Sequence, residues 1–240
     1  MIAFLTKLRT DVWRTSSARY NAARRLSRRD LFATISLALL SAMTVAIAFI
    51  QRVYAPSSSP VDNYFTVFSA SLGVFLLTIS LVEWGAKTGS IADALHQNAE
   101  KLNALQRRIG IRIAAIGASS PVTWVEAQAL ADEYNAIKAD CRHNHHPIDD
   151  EYFRAKQRTA PEFLDASGNP IISQKDAHKI SLVWHLSSIW YFAGLWLITL
   201  GLLVLPMNYP DWWKKQPDST VTHVGASQSL TPSQNGSQHQ

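Results

Sequence analysis

The sequence predicts an all-α membrane protein: a transmembrane helical hairpin, a third C-terminal transmembrane helix, and a cytoplasmic helical segment between them. Three uncharged runs carry that prediction. Leu31 to Ile50 and Asn63 to Val82 each hold 20 residues without Asp, Glu, Lys or Arg, and Ser181 to Leu205 holds 25. A helix rises about 1.5 Å per residue, so about 20 residues cross the roughly 30 Å hydrocarbon core. Average composition hides the pattern. At 47% hydrophobic and 17% charged, the chain resembles a soluble domain until the positions of the charges are considered. Helices of a soluble core are shorter and carry polar residues at helical spacing. Ala46-Ile47-Ala48 invites a leader-peptide reading of the first run. Its apolar stretch exceeds the roughly 7 to 15 residues of a leader, and 30 residues precede it.

The segment 1–30 is a basic cytoplasmic N-terminal helix. It holds Lys7, Arg9, Arg14, Arg19, Arg24, Arg25, Arg28 and Arg29 against Asp11 and Asp30, a net +6 (8 − 2). Lys and Arg flanking a span stay in the cytoplasm, which orients the N-terminus inside. Trp13, Tyr20 and Leu26 among the arginines suggest a helix lying against anionic headgroups rather than a nucleic-acid tail, and no nucleic acid is expected as a partner. The loop between the first two spans carries only Arg52 and Asp62 and contains Pro56-Ser-Ser-Ser-Pro60, a short outward turn. Residues 83–158 form a cytoplasmic helical segment, 159–180 a turn-rich connector, 181–205 the third span, and 206–240 an aromatic interfacial end with a polar tail.

Lipid offers helices no hydrophobic drive to associate, so small residues mark close approach. In span 31–50, Thr34, Ala38, Ala42 and Ala46 recur every four residues; in span 63–82, Thr66, Ser69, Gly73 and Ser80 fall near one face. They are the expected hairpin-packing or pore residues. Neither span contains a charge, which argues against a proton relay or a selective transporter. Just beyond, Glu83 and Lys87 are four apart and suited to pair on one helix face. In the third span, Trp184 and, past Pro206, Trp212 and Trp213 are placed to mark the two interfaces, with His185 a wet imidazole near the cytoplasmic end.

In the cytoplasmic segment Ile91, Leu95, Asn98, Leu102, Leu105 and Ile109 are spaced 4, 3, 4, 3, 4, the seam of a helix packed on another. That partner is either a neighbouring helix of the same chain or a second copy; the lone Asn98 would set register. A second helix is predicted from Pro121, capped by Ser120, toward Asp140. Cys141 to His146 gathers a thiol and three imidazoles, but the spacing matches no familiar zinc site. It reads as a polar helix end before Pro147, with Asp149, Asp150 and Glu151 opening a further helix. One cysteine forms no intramolecular disulfide. No phosphate loop or hydrolase nucleophile motif occurs, so no catalysis, cofactor or metal is expected. The residues from Gln216 onward are expected to be disordered.

The basic helix, the close spans, the long seam helix and the stretches Glu133-Tyr-Asn-Ala-Ile137, Asn144-His145 and Asp149-Asp150-Glu151-Tyr152-Phe153 resemble the SLATT domain over roughly Lys7 to Arg158. That resemblance implies a two-span effector of a bacterial conflict system, encoded beside nucleotide-synthase, nucleotide-sensing or reverse-transcriptase partners. It further implies a homo-oligomer in the lipid bilayer that forms a pore and kills or arrests the infected cell. The alternative is a non-lytic membrane anchor or sensor whose cytoplasmic helices dock a partner protein. The third span departs from the two-span core of that resemblance.

Overall fold

The computed structural model describes residues 1–116 and 122–208. Seven α-helices follow in order: α1 (Ile2–Tyr54), α2 (Pro60–Ala86), α3 (Thr88–Ile116), α4 (Trp124–Asp140), α5 (Pro147–Lys156), α6 (Gln174–Leu186) and α7 (Trp190–Asn208). The fold is all-α; the described residues contain only one isolated β-bridge, Leu164 to Pro170. Ser120, Pro121, Tyr209, Trp212, Trp213 and the polar tail lie outside the described residues.

Two antiparallel rods set the architecture. α1 is one unbroken helix of 53 residues, so the basic segment and the first span are continuous rather than separate units. α2 runs into α3 through Lys87 alone, which adopts the left-handed conformation at φ 49°. Pro60–Ile116 is thereby a nearly continuous rod of 57 residues. At about 1.5 Å per residue each rod is roughly 80 Å long, more than twice the hydrocarbon thickness. Both rods contain a window long and apolar enough to cross a membrane. The turn between them is closed by Ser59, whose hydroxyl caps α2 through the Asp62 amide, and by Pro60 at the first helical position. The Gln51 side-chain amide donates to Asp62 Oδ1 and to Thr66 Oγ1, both at 2.7 Å.

One end of the rod pair is a water-facing bundle. Leu5, Leu8 and Val12 of α1 meet Leu102, Leu105 and Ile109 of α3 and Ala127 of α4, and Ala22 and Ala23 meet Leu95. The α3 seam is therefore filled within the chain, by α1 and α4. Trp13 packs edge-on against Phe153 at 5.0 Å, Tyr20 meets His96, and Leu26 packs beside Leu95. These side chains expected on headgroups are instead engaged in packing, because the face of α1 that carries them is the one α3 and α5 cover.

The other end is the membrane core, where Leu40 and Ile47 of α1, Phe68, Leu72, Leu76 and Ile79 of α2 and Leu195 of α7 cluster. α7 is tied in by Tyr64 Oη donating to the Leu202 carbonyl at 2.7 Å and Trp196 Nε1 donating to Ser36 Oγ at 3.2 Å. The outward sides present Leu31, Leu39, Phe49, Val74 and Leu81, each more than half exposed. A continuous apolar surface of this size is tolerable in lipid and not in water.

The third span is broken, not the single helix expected over 181–205. α6 and α7 meet at 61°. Ser187 and Ser188 sit at the break, their hydroxyls donating to the carbonyls of Trp184 and His185 at 2.7 and 3.0 Å, a back-bonding that favours a bend. α6 packs against α5 in the water-facing bundle, and α7, with 19 residues, reaches about 28 Å on its own.

Candidate functional site

The residues that tie the water-facing bundle to the spans converge on Asp149. Pro147 starts α5, and His146 and Asp149 cap it reciprocally, with the His146 amide donating to Asp149 Oδ2 at 3.1 Å. This seats the Asp149 side chain at zero exposure. There it accepts a two-pronged pair from Arg25 of α1, Nε to Oδ1 and Nη2 to Oδ2, both at 2.9 Å. Trp184 Nε1 of α6 donates to the same Oδ1 at 2.9 Å. Asn21 Nδ2 reaches the Asp149 backbone carbonyl at 3.1 Å. A buried carboxylate is tolerated only with its lone pairs satisfied. Here three helices supply the donors. Arg14 and Arg25 are three helical turns apart on α1, and Arg14 grips Asp150 in the same forked way at 2.6 and 2.5 Å.

Closer to the spans, the Arg28 guanidinium lies 4.3 Å above the Trp184 ring, and its Nη1 sits 2.7 Å from His185 Nδ1. Tyr152 stacks flat on Trp184 at 4.1 Å. At the threshold itself Arg29 pairs with Glu83 at 3.0 Å. The expected Glu83 to Lys87 pair does not form, because Lys87 is the left-handed joint between α2 and α3 and no longer lies on the same helix face. Trp184 is 3% exposed, packed within the protein as the Asp149 donor rather than set against lipid. His185 is exposed, as a wet imidazole would be, and also meets Arg28.

Of the predicted seam, Leu95, Asn98, Leu102, Leu105 and Ile109 are buried and Ile91 half-buried. Asn98 accepts from Arg19 Nη1 through Oδ1 and donates through Nδ2 to the Ile137 carbonyl at 2.6 Å. The register device works between α1, α3 and α4 of one chain. The small residues of the first span fall elsewhere. Thr34, Ala38, Ala42 and Ala46 are all exposed, and α1 meets its neighbours through Ala33, Ser36, Leu40 and Ile47. As a hairpin-packing stripe that set is corrected: the hairpin uses the adjacent face. In α2, Thr66 is exposed and Ser69, Gly73 and Ser80 half-buried. A side chain built at Gly73 would meet nothing within 4 Å, so no close approach within the chain requires that glycine.

Around Cys141 to His146 the side chains do capping work. The Cys141 thiol donates to the His143 carbonyl at 3.3 Å, and His146 caps α5. Burial pushes the His145 imidazole below its ordinary pKa, partly offset by Asp150. No group of three or more His, Cys, Asp or Glu side chains gathered for a metal ion occurs among the described residues.

In the sequence, Arg25 and Arg28 read as a topology signal, Asp149 as a first-turn acid and Trp184 as an interface marker. The available signal was the match between forked arginines three turns apart and two adjacent aspartates.

Continuous rods that begin in a charged bundle and end in an apolar core, joined by a buried ion-pair knot, define a multipass helical membrane protein with a charged cap built on its own spans. The family model for SMODS and SLOG-associating 2TM effector domain family 5 matches residues 1–208, and the chain belongs to that family. Membership makes it a membrane effector of bacterial conflict systems. The match extends past Arg158 through α6 and α7, so the third helix pair lies inside the family's extent rather than outside it. No curated protein and no solved structure gives a match.

Proposed function

We propose that this chain is an effector of the bacterial inner membrane, N-terminus in the cytoplasm, that assembles with copies of itself and opens or disrupts the bilayer when triggered. The observation that carries the reading is the continuity of α1. The arginines that hold the bundle together and the first membrane span are one rigid helix, so a signal that loosens the knot at Asp149 moves the span directly. The net +6 before Leu31 supports the orientation. The outward Thr34, Ala38, Ala42 and Ala46 offer a surface on which spans of neighbouring copies come close. With no charge in the first two spans, the opening is weakly polar and gated by wetting. No residue performs catalysis. The closed state is held because an open one is toxic to its host, and the trigger shifts that balance. The trigger arrives through a nucleotide-synthase, nucleotide-sensing or reverse-transcriptase partner encoded alongside.

A second reading is a non-lytic membrane anchor that docks a partner. The completeness of packing along Leu95, Leu102, Leu105 and Ile109 favours it, since no seam is left for self-association in the cytoplasm. Dye exclusion in cells expressing the chain with its neighbouring genes active separates the two. Dye entry supports the pore; intact exclusion with the chain inserted leaves the anchor.

A further inference from the structure

An open groove of about 670 Å³ lies where the cytoplasmic bundle meets the spans, lined by Arg24, Arg28, Asp93, His96, Trp184 and His185 among others. Its cations are not fully used. Arg28 spends Nη1 on His185, but its Nη2 is shielded from solvent and has no hydrogen-bond partner. A desolvated guanidinium donor without an acceptor is costly, and an incoming oxygen would cancel that cost. The contrast with Arg14 makes the point: its pKa is raised by hydrogen bonding to Asp150, whereas that of Arg28 is lowered by burial. Arg24 is exposed on the same stretch of α1 and makes no hydrogen bond or ion pair. The one carboxylate lining the groove, Asp93, is exposed and leaves the pair of arginines in excess.

Depth identifies the source of the anion. Arg28 precedes Leu31, the first residue of the uncharged run, by about 4.5 Å along the helix. The headgroup layer is roughly 5 to 8 Å thick on each side of the hydrocarbon. The groove therefore opens at the level of lipid phosphates.

We propose that this groove binds a phosphate group, that of an anionic lipid headgroup, through Arg28 and Arg24, with Trp184 holding the Arg28 guanidinium flat from below. Forked arginine donors are suited to phosphate oxygens. The site stands apart from the pore reading, since it requires only that the spans be in a membrane.

The test titrates the detergent-solubilised full chain with a short-chain phosphatidic acid below its micelle concentration and, separately, with inorganic phosphate, following bound complex by native mass spectrometry. Saturable binding of the lipid is expected, weakened about tenfold by Arg28→Gln, weakened also by Arg24→Gln, and strengthened by Asp93→Asn. Arg24 and Asp93 hold nothing else in place, so those two variants answer even if Arg28→Gln unfolds. Equal binding of inorganic phosphate with the same response to the variants upholds the phosphate site and assigns it to a soluble anion. Binding of neither probe, or binding indifferent to Arg24→Gln and Asp93→Asn, overturns the proposal.

Discussion

At the scale of single residues, Asp149 is the point through which the bundle holds α1, α5 and α6 together. Removing one partner of a buried pair strands the other charge, which costs about 3–5 kcal/mol. Asp149→Ala is therefore expected to lower the unfolding temperature in detergent steeply. Trp184→Phe, which removes one donor and leaves the Arg25 fork intact, is expected to cost about 1–3 kcal/mol. Equal, small effects from both would show that the knot is not a structural centre. His145 adds a pH dependence. Burial lowers its folded-state pKa below the ordinary 6.5, so the unfolded chain binds the extra proton first. Its contribution is complete above pH 6.5 and is lost as pH falls through the depressed folded value. Thermal unfolding followed from neutral pH into the acid range should show that slope in the wild type and a flatter one in His145→Gln.

At the scale of elements, the question is what the α3 seam meets. If Asn98 sets register within the chain, Asn98→Leu removes the acceptor of the buried Arg19 Nη1 and lowers stability without changing the oligomeric state. If the seam paired two copies, the same change would tighten the oligomer instead. Unfolding and cross-linking on one preparation distinguish these outcomes. The elements also differ in how well they could be read beforehand. The first two spans and the seam were legible because each leaves a direct mark, an absence of charge or a 4, 3 spacing. The matching seam of α1 was not, because Ser16 and Arg19 interrupt it; both are buried and hydrogen-bonded to Ala99 and Asn98. The bend between α6 and α7 was hidden because Ser187 and Ser188 are uncharged and leave the apolar run intact. The packing face of the first span is not legible in the sequence for a deeper reason: lipid and protein are equally apolar, so hydropathy does not separate the two sides of a span. The Asp149 site depended on residues far apart in sequence, Arg25 and Trp184, whose meeting is a property of topology.

At the scale of the molecule, two long rods carry a charged cap and a membrane core as one mechanical body, with α7 folded onto the hairpin. The family places such chains at the effector end of bacterial conflict systems. Under the function proposed above, such a body acts by moving its spans, and copies meet on the outward face of Thr34 to Ala46. The most direct test of that action is the membrane potential of bacteria expressing the full chain together with its neighbouring genes, read with a potential-sensitive dye as the system is triggered. Collapse of the potential in the wild type, abolished by replacing Ala38 and Ala42 with Leu on the outward face, is the expected result. An unchanged potential, with the chain inserted and the system active, would contradict it.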